Sequence, residues 1–228
     1  MKKLILSIFM STVLMTSLSA QVKFMPKAGV SYTRNSISDD LTSSTAEINS
    51  KFGFVAGIAF EIPLIGDRLF LQPEVLFQQN GAKSEDDQTK FDEPLYESTT
   101  TLNYISVPIL AKVKFGKFFA EAGPSFSYGI GGKYEDTETY NGTVTKTDGK
   151  VKFGKYPDGY NGDDIYLDNA FDIGLQIGVG VKISVIVIDL RYGLGFSNLI
   201  DKPDGYTGDA KITNNGFQLT VGVPLGGD

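Results

Sequence analysis

Thirteen consecutive residues, FDIGLQIGVGVKI at Phe171–Ile183, restrict the fold more than any other stretch of the chain. Phe171, Ile173, Leu175, Ile177, Val179, Val181 and Ile183 are all apolar, and the alternate positions Asp172, Gly174, Gln176, Gly178, Gly180 and Lys182 include no large hydrophobe. Side chains of a strand point alternately to its two faces. The pattern therefore specifies a strand that is apolar on one face and small or polar on the other. Globular strands usually run about 5–6 residues, whereas a tilted strand needs roughly 9–11 to cross a bilayer.

The same phase recurs along the chain. Residues 22–33 set Phe24, Pro26, Ala28, Val30 and Tyr32 against Lys23, Lys27, Gly29 and Ser31. Residues 51–64 set Phe52, Phe54, Ala56, Ile58, Phe60 and Ile62 against Gly53, Gly57, Ala59 and Glu61. Further strands are predicted at 69–81, 102–115, 118–130, 186–196 and 216–225, each with one apolar phase. Pro73 lacks a ladder donor, so a bulge or weak pairing is predicted there. Connections after the second, fourth and sixth strands are tight turns, while those at 34–51, 82–101, 132–165 and 197–213 are long and polar. This alternation predicts an all-β fold, an eight-stranded antiparallel up-and-down transmembrane β-barrel with four long outer loops and short periplasmic turns. A secreted lipocalin-type binding barrel is the rival, with the apolar phase lining a cavity. The polar phase is dominated by glycine, serine and glutamine, which suits a narrow interior better than a solvated surface.

Lys2 and Lys3, an apolar run over 4–18 and the small pair Ser19-Ala20 form a secretory signal peptide. The expected division is a signal peptide at 1–20 and a barrel domain at 21–228, exported to the outer membrane. The absence of cysteine excludes a lipidated N-terminal cysteine, disulfides and thiol chemistry. Histidine is also absent, which removes the usual base of a serine hydrolase and the commonest zinc ligand. No enzyme activity, cofactor or metal is therefore expected. The formal charge of −6, about −8 without Lys2 and Lys3, argues against nucleic acid as a partner.

The inward phase collects Glu61, Glu74, Lys112, Lys114, Glu121, Asp172, Lys182, Asp189 and Arg191. Eight strands leave an interior just wide enough for side chains, and buried charges must be paired. A lumen closed by ion pairs is expected; a proton or ion path is the functional alternative. In the long connections, Pro157-Asp158-Gly159-Tyr160-Asn161-Gly162-Asp163 resembles Pro203-Asp204-Gly205-Tyr206-Thr207-Gly208-Asp209. Both read as Pro-Asp-Gly turns. Alternatively, Asp158, Tyr160, Asp163, Asp204, Tyr206 and Asp209 form loop tips that contact a partner. Their spacing, even with Asp164 included, is not that of an EF-hand calcium loop.

Tyr104, Val107, Pro108, Lys112 and the run Glu121-Ala122-Gly123-Pro124-Ser125 match motifs of the small PorT-like outer-membrane barrels of Bacteroidetes. So do Leu71-Gln72-Pro73-Glu74 and Asp189-Leu190-Arg191-Tyr192, although Ser106 stands where that family usually has glutamate. The chain resembles that family, and the resemblance implies an outer-membrane barrel and a link to a secretion or surface-assembly machine. The expected partners are outer-membrane lipid and a protein at the outer loops or periplasmic face. The function expected is a structural or interaction role, with a small-solute, porin-like channel as the alternative.

Overall fold

Every strand finds its partners within the chain, and the ends of the sheet meet. A computed structural model of the protein describes residues 22–38, 47–85, 94–155, 157, 162–198 and 211–226. Its strands are β1 (Lys23–Ser38), β2 (Glu47–Ile65), β3 (Leu69–Glu85), β4 (Leu95–Phe115), β5 (Phe118–Tyr140), β6 (Thr143–Phe153), β7 (Ile165–Leu167), β8 (Phe171–Ile183), β9 (Ile186–Gly195) and β10 (Lys211–Gly222). Eight of them form a hydrogen-bonded ring, β1-β2-β3-β4-β5-β8-β9-β10, closed by antiparallel pairing of β10 to β1 from Lys27↔Gly222 to Ser38↔Lys211. A closed ring leaves no strand edge unpaired.

The apolar phase faces outward. Ile177 is 48% exposed while its neighbour Gln176 is 4% exposed, and the same division holds for Phe24, Val30 and Tyr32 against Met25, Lys27 and Ser31. This excludes the lipocalin-type alternative, which needs the apolar phase inside. Aromatic side chains gather at two levels. Tyr192, Phe217, Tyr32 and Phe52 are lateral neighbours across β9, β10, β1 and β2, with ring centroids 4.7 Å apart in Tyr192–Phe217 and in Tyr32–Phe52. Near the opposite end, Phe24 and Phe60 are 5.8 Å apart, and Phe115 pairs with Phe118. Two aromatic girdles flanking an apolar band mark the interfaces of a membrane barrel.

The short turns lie together. Gly66, Gly116 and Ser184 take the positive φ angles (51°, 62° and 56°) that these reversals need. Phe24 exchanges backbone hydrogen bonds with Leu225 at this same end, which brings the first and last described strands together. The prolines leave their mark on the ladders, as Pro73 predicts. The β2–β3 register skips Gln72 and Pro73, the β3–β4 register skips Val107 and Pro108, and the β4–β5 register skips Gly123 and Pro124.

The opposite end, the mouth, departs from the expected four long loops. Strands β1 to β4 run well past the apolar band, so residues 34–38 and 47–51 of one expected connection and 82–85 and 95–101 of another are strand. Most of the connection expected at 132–165, from 132 to 153, is a β-hairpin as well. There β5 continues to Tyr140, turns at Asn141-Gly142 with both residues at positive φ (49° and 77°), and returns as β6. Two successive positive φ values define the type I′ hairpin that Asn-Gly favours. The result is a wall of β2 to β6 that rises on one side of the mouth.

Candidate functional site: the lumen

Seven strands send a polar side chain to one level of the barrel, and Arg191 of β9 organises it. Its Nη1 and Nη2 donate to Glu74 Oε2 and Oε1 at 2.6 and 2.8 Å, and its Nε donates to Glu121 Oε1 at 2.5 Å. Asp189 Oδ1 lies 3.0 Å from the same Nε without the alignment of a hydrogen bond, because that single N–H points at Glu121. Lys27 of β1 bridges Glu74 at 3.2 Å and Asp189 at 2.9 Å. Thr220 of β10 donates to Asp189 Oδ2 at 2.9 Å. Gln72 of β3 donates to Glu74 and Glu121 at 2.6 and 3.3 Å and accepts from Lys112 Nζ at 2.8 Å. The network ends on Glu61, which pairs with Lys112 at 3.3 Å and Lys114 at 2.5 Å.

Four cations (Lys27, Lys112, Lys114, Arg191) thus meet four carboxylates (Glu61, Glu74, Glu121, Asp189). All but Lys114 are buried. Such burial is tolerable only when each charge is paired and hydrogen-bonded.

The glycines of β8 make room for this layer. Gly178 pairs laterally with both Glu121 and Arg191, and a Cβ there would stand 2.7 Å from Arg191 Cγ. At Gly180 a Cβ would stand 2.2 Å from the ring of Phe119, over which Lys112 Nζ sits 3.8 Å from the centroid. Phe119, Met25, Ala59 and Val187 form an apolar layer on the short-turn side.

Above the charges lies a polar cavity of about 40 Å³, lined by Gln78, Asn80, Asp172, Gln176, Asn214 and Gln218 among others. Another of about 50 Å³ lies at the short-turn end. The two share no lining residue, and Arg191, Glu74 and Glu121 line neither. Toward the mouth, Leu102, Tyr104, Tyr134 and Val151 cluster with Phe153 and Leu167. The Phe153 ring occupies the space a Cβ on Gly129 would take, 2.2 Å from Cζ, and stacks edge-on to Tyr104 at 5.8 Å. The outer hairpin therefore folds an apolar stopper into the mouth.

Of the inward charges named from sequence, the structure brings Glu61, Glu74, Lys112, Lys114, Glu121, Asp189 and Arg191 into one network. Asp172 is buried apart from them, accepting from Asn214 Nδ2 at 3.1 Å. Lys182 is exposed at the short-turn rim and does not join. Lys27, absent from that set, is buried and bridges two carboxylates; its place in the inward phase was the available signal. Of the candidate loop tips, Asp163 is exposed and its carbonyl accepts from Tyr134 Oη. Asp158, Tyr160, Asp204, Tyr206 and Asp209 lie outside the described residues.

A closed antiparallel ring, apolar outside and ion-paired within, leaves no open strand edge and presents a hydrocarbon-compatible exterior; it is a membrane-spanning β-barrel. The chain belongs to the family of outer membrane protein beta-barrel domains, which matches residues 17–201. A comparison with curated proteins returns no match. Among solved structures, Neisserial surface protein A is similar over 89% of this chain and 97% of its own, at 13% identity and a TM-score of 0.44. Ail, the attachment invasion locus protein of Yersinia pestis, is similar over 89% and 99%, at 10% identity and a TM-score of 0.39. The outer membrane protease OmpT of Escherichia coli is similar over 90% and 95%, at 12% identity and a TM-score of 0.38.

Proposed function

We propose that the protein is a non-enzymatic outer-membrane barrel that works through its outer end rather than through its lumen. The observation that carries this reading is the balanced charge layer spanning the lumen, with an apolar layer on its short-turn side and an apolar cluster at the mouth. The cations of that layer are already paired with its carboxylates. The wall of β2 to β6 supplies the contact surface instead: Tyr96, Tyr140 and Val144 sit near its tip, 43–56% exposed, although nothing in the membrane requires apolar groups there. Residues 1–20 act as a signal peptide, the short turns face the periplasm, and the mouth faces outward. The PorT-like motifs around Glu74, Glu121 and Arg191 support placement in that family, and with it a link to a secretion or surface-assembly machine. The absence of histidine and cysteine supports the non-enzymatic assignment.

Crosslinked co-purification from native outer membranes tests the reading. The intact chain should retain a defined partner that is lost when residues 134–164 are replaced by a two-residue Asn-Gly turn. Recovery of identical proteins with both versions would contradict it. A small-solute channel remains the second reading, favoured only by the two polar cavities.

A further inference from the structure

Among the described residues, the cavity of about 50 Å³ at the short-turn end is lined by five lysines, Lys23, Lys112, Lys114, Lys117 and Lys182, and by one carboxylate, Glu61. Lys112 and Lys114 pair with Glu61 and lie over the rings of Phe119 and Phe70. Among the described residues, Lys23, Lys117 and Lys182 pair with no carboxylate. A chain with a formal charge of −6 thus gathers, among its described residues, an excess of positive charge at one rim. Lys182 N donates to the carbonyl of Lys117 at 2.7 Å, which fixes the two residues side by side where β5 and β8 begin and end.

On the outside of the same wall runs an apolar groove of about 530 Å³, lined by Phe115, Phe118, Ala120, Val179, Val181 and Leu190 among others. Ala120 makes the depression, since it pairs with Val179 and lies two residues from the bulky Phe118. Groove and basic cavity share Phe118 and Phe119. Positive charge at the membrane surface therefore adjoins a chain-sized furrow in the hydrocarbon band.

We propose that this rim binds one anionic phospholipid, its phosphate held by Lys117 and Lys182 with Lys23 nearby, and one acyl chain laid over Ala120. The phosphate gains from cations that no protein carboxylate neutralises. The chain gains dispersion contacts in a furrow that bulk lipid would fill less closely. The inference rests on the membrane-spanning ring and not on the proposed outer-end role, so either can fail alone.

Native mass spectrometry of the full chain in detergent, offered equal amounts of phosphatidylglycerol and phosphatidylcholine, tests it. One phosphatidylglycerol should be retained about tenfold better than phosphatidylcholine. The double variant Lys117→Gln/Lys182→Gln should lose that preference, whereas Ala120→Phe should weaken retention of both lipids. Heat-dependent gel mobility reports whether each variant is folded, and Lys146→Gln/Lys150→Gln on the outer hairpin is a control that should leave the preference intact. Equal retention of the two lipids by the unaltered chain would overturn the proposal, as would a preference that survives in the double variant. Glycerol phosphate binding as well as the lipid, with Ala120→Phe silent, would make this a free-anion site and overturn the lipid assignment.

Discussion

Gly178 has no side chain where Arg191 needs room, and Arg191 holds Glu74 and Glu121 together in the lumen. Removing the guanidinium therefore takes the ion pair from Glu121 and leaves Glu74 only Lys27, and breaking a buried pair typically costs about 3–5 kcal/mol. Arg191→Ala should lower the urea midpoint for unfolding from lipid vesicles sharply, whereas Lys133→Ala in the outer wall, whose partner Glu135 is exposed, should leave it almost unchanged. Gly178→Val should destabilise by about 1–3 kcal/mol through overpacking alone; a neutral result would mean that Arg191 reaches its partners by another path. The outward phase carries a complementary expectation. Lysine on the lipid face costs about 2–4 kcal/mol near the bilayer midplane, so Ile177→Lys should impair insertion far more than Gln176→Lys. Equal losses would contradict the facing of β8. At this scale the inward phase made the charges legible, but not their connections. Lys182 keeps the inward phase yet sits where the strand leaves the lumen, and Asp172 lies at a different height. Strand phase specifies a face and says nothing of depth.

The strands were readable where lipid imposes a rule on them and unreadable where it does not. Inside the apolar band one face must be hydrophobic, so alternation marks β8 and β9 almost to the residue. Beyond the band both faces meet water, and segments such as Thr137-Glu138-Thr139 or Thr143-Val144-Thr145 carry no alternation. The one local signal was Asn141-Gly142, whose dipeptide alone indicates a tight hairpin. The ladder gap beside Pro73 was visible in outline, since proline has no N–H to donate, and the same cause produces the gaps beside Pro108 and Pro124. The outer part of β5 is tied to the ring through β4, but residues 118–128 of β5 pair with β8 independently of the hairpin. Replacing residues 134–164 with a short turn should leave a heat-modifiable, folded barrel with a lowered unfolding midpoint, since Tyr104 and Leu102 then lose Phe153, Tyr134 and Val151. Failure to fold would show that the outer wall is needed to close the ring. Orientation is tested at the same scale. An epitope at Asn141 should be reached on intact cells, while one at Gly66 should need outer-membrane permeabilisation; the reverse pattern would invert the chain.

Taken whole, the molecule divides along its axis into a rim rich in lysine, an apolar layer, a balanced charge layer, a polar cavity and an apolar stopper below a wall of sheet. The resulting geometry suits a fixed anchor that carries a surface beyond the membrane. Eight strands leave room for side chains and little else, and here that room is filled by side chains from all but one strand of the ring at a single level. Function is then a property of the ends, and the lumen is the part that keeps the cylinder rigid. Single-channel recording of the purified chain in planar bilayers tests this most directly. The unaltered protein should insert without producing stable conductance steps, with or without residues 134–164. Steady, reproducible conductance through the intact barrel would contradict a closed lumen and make transport its function.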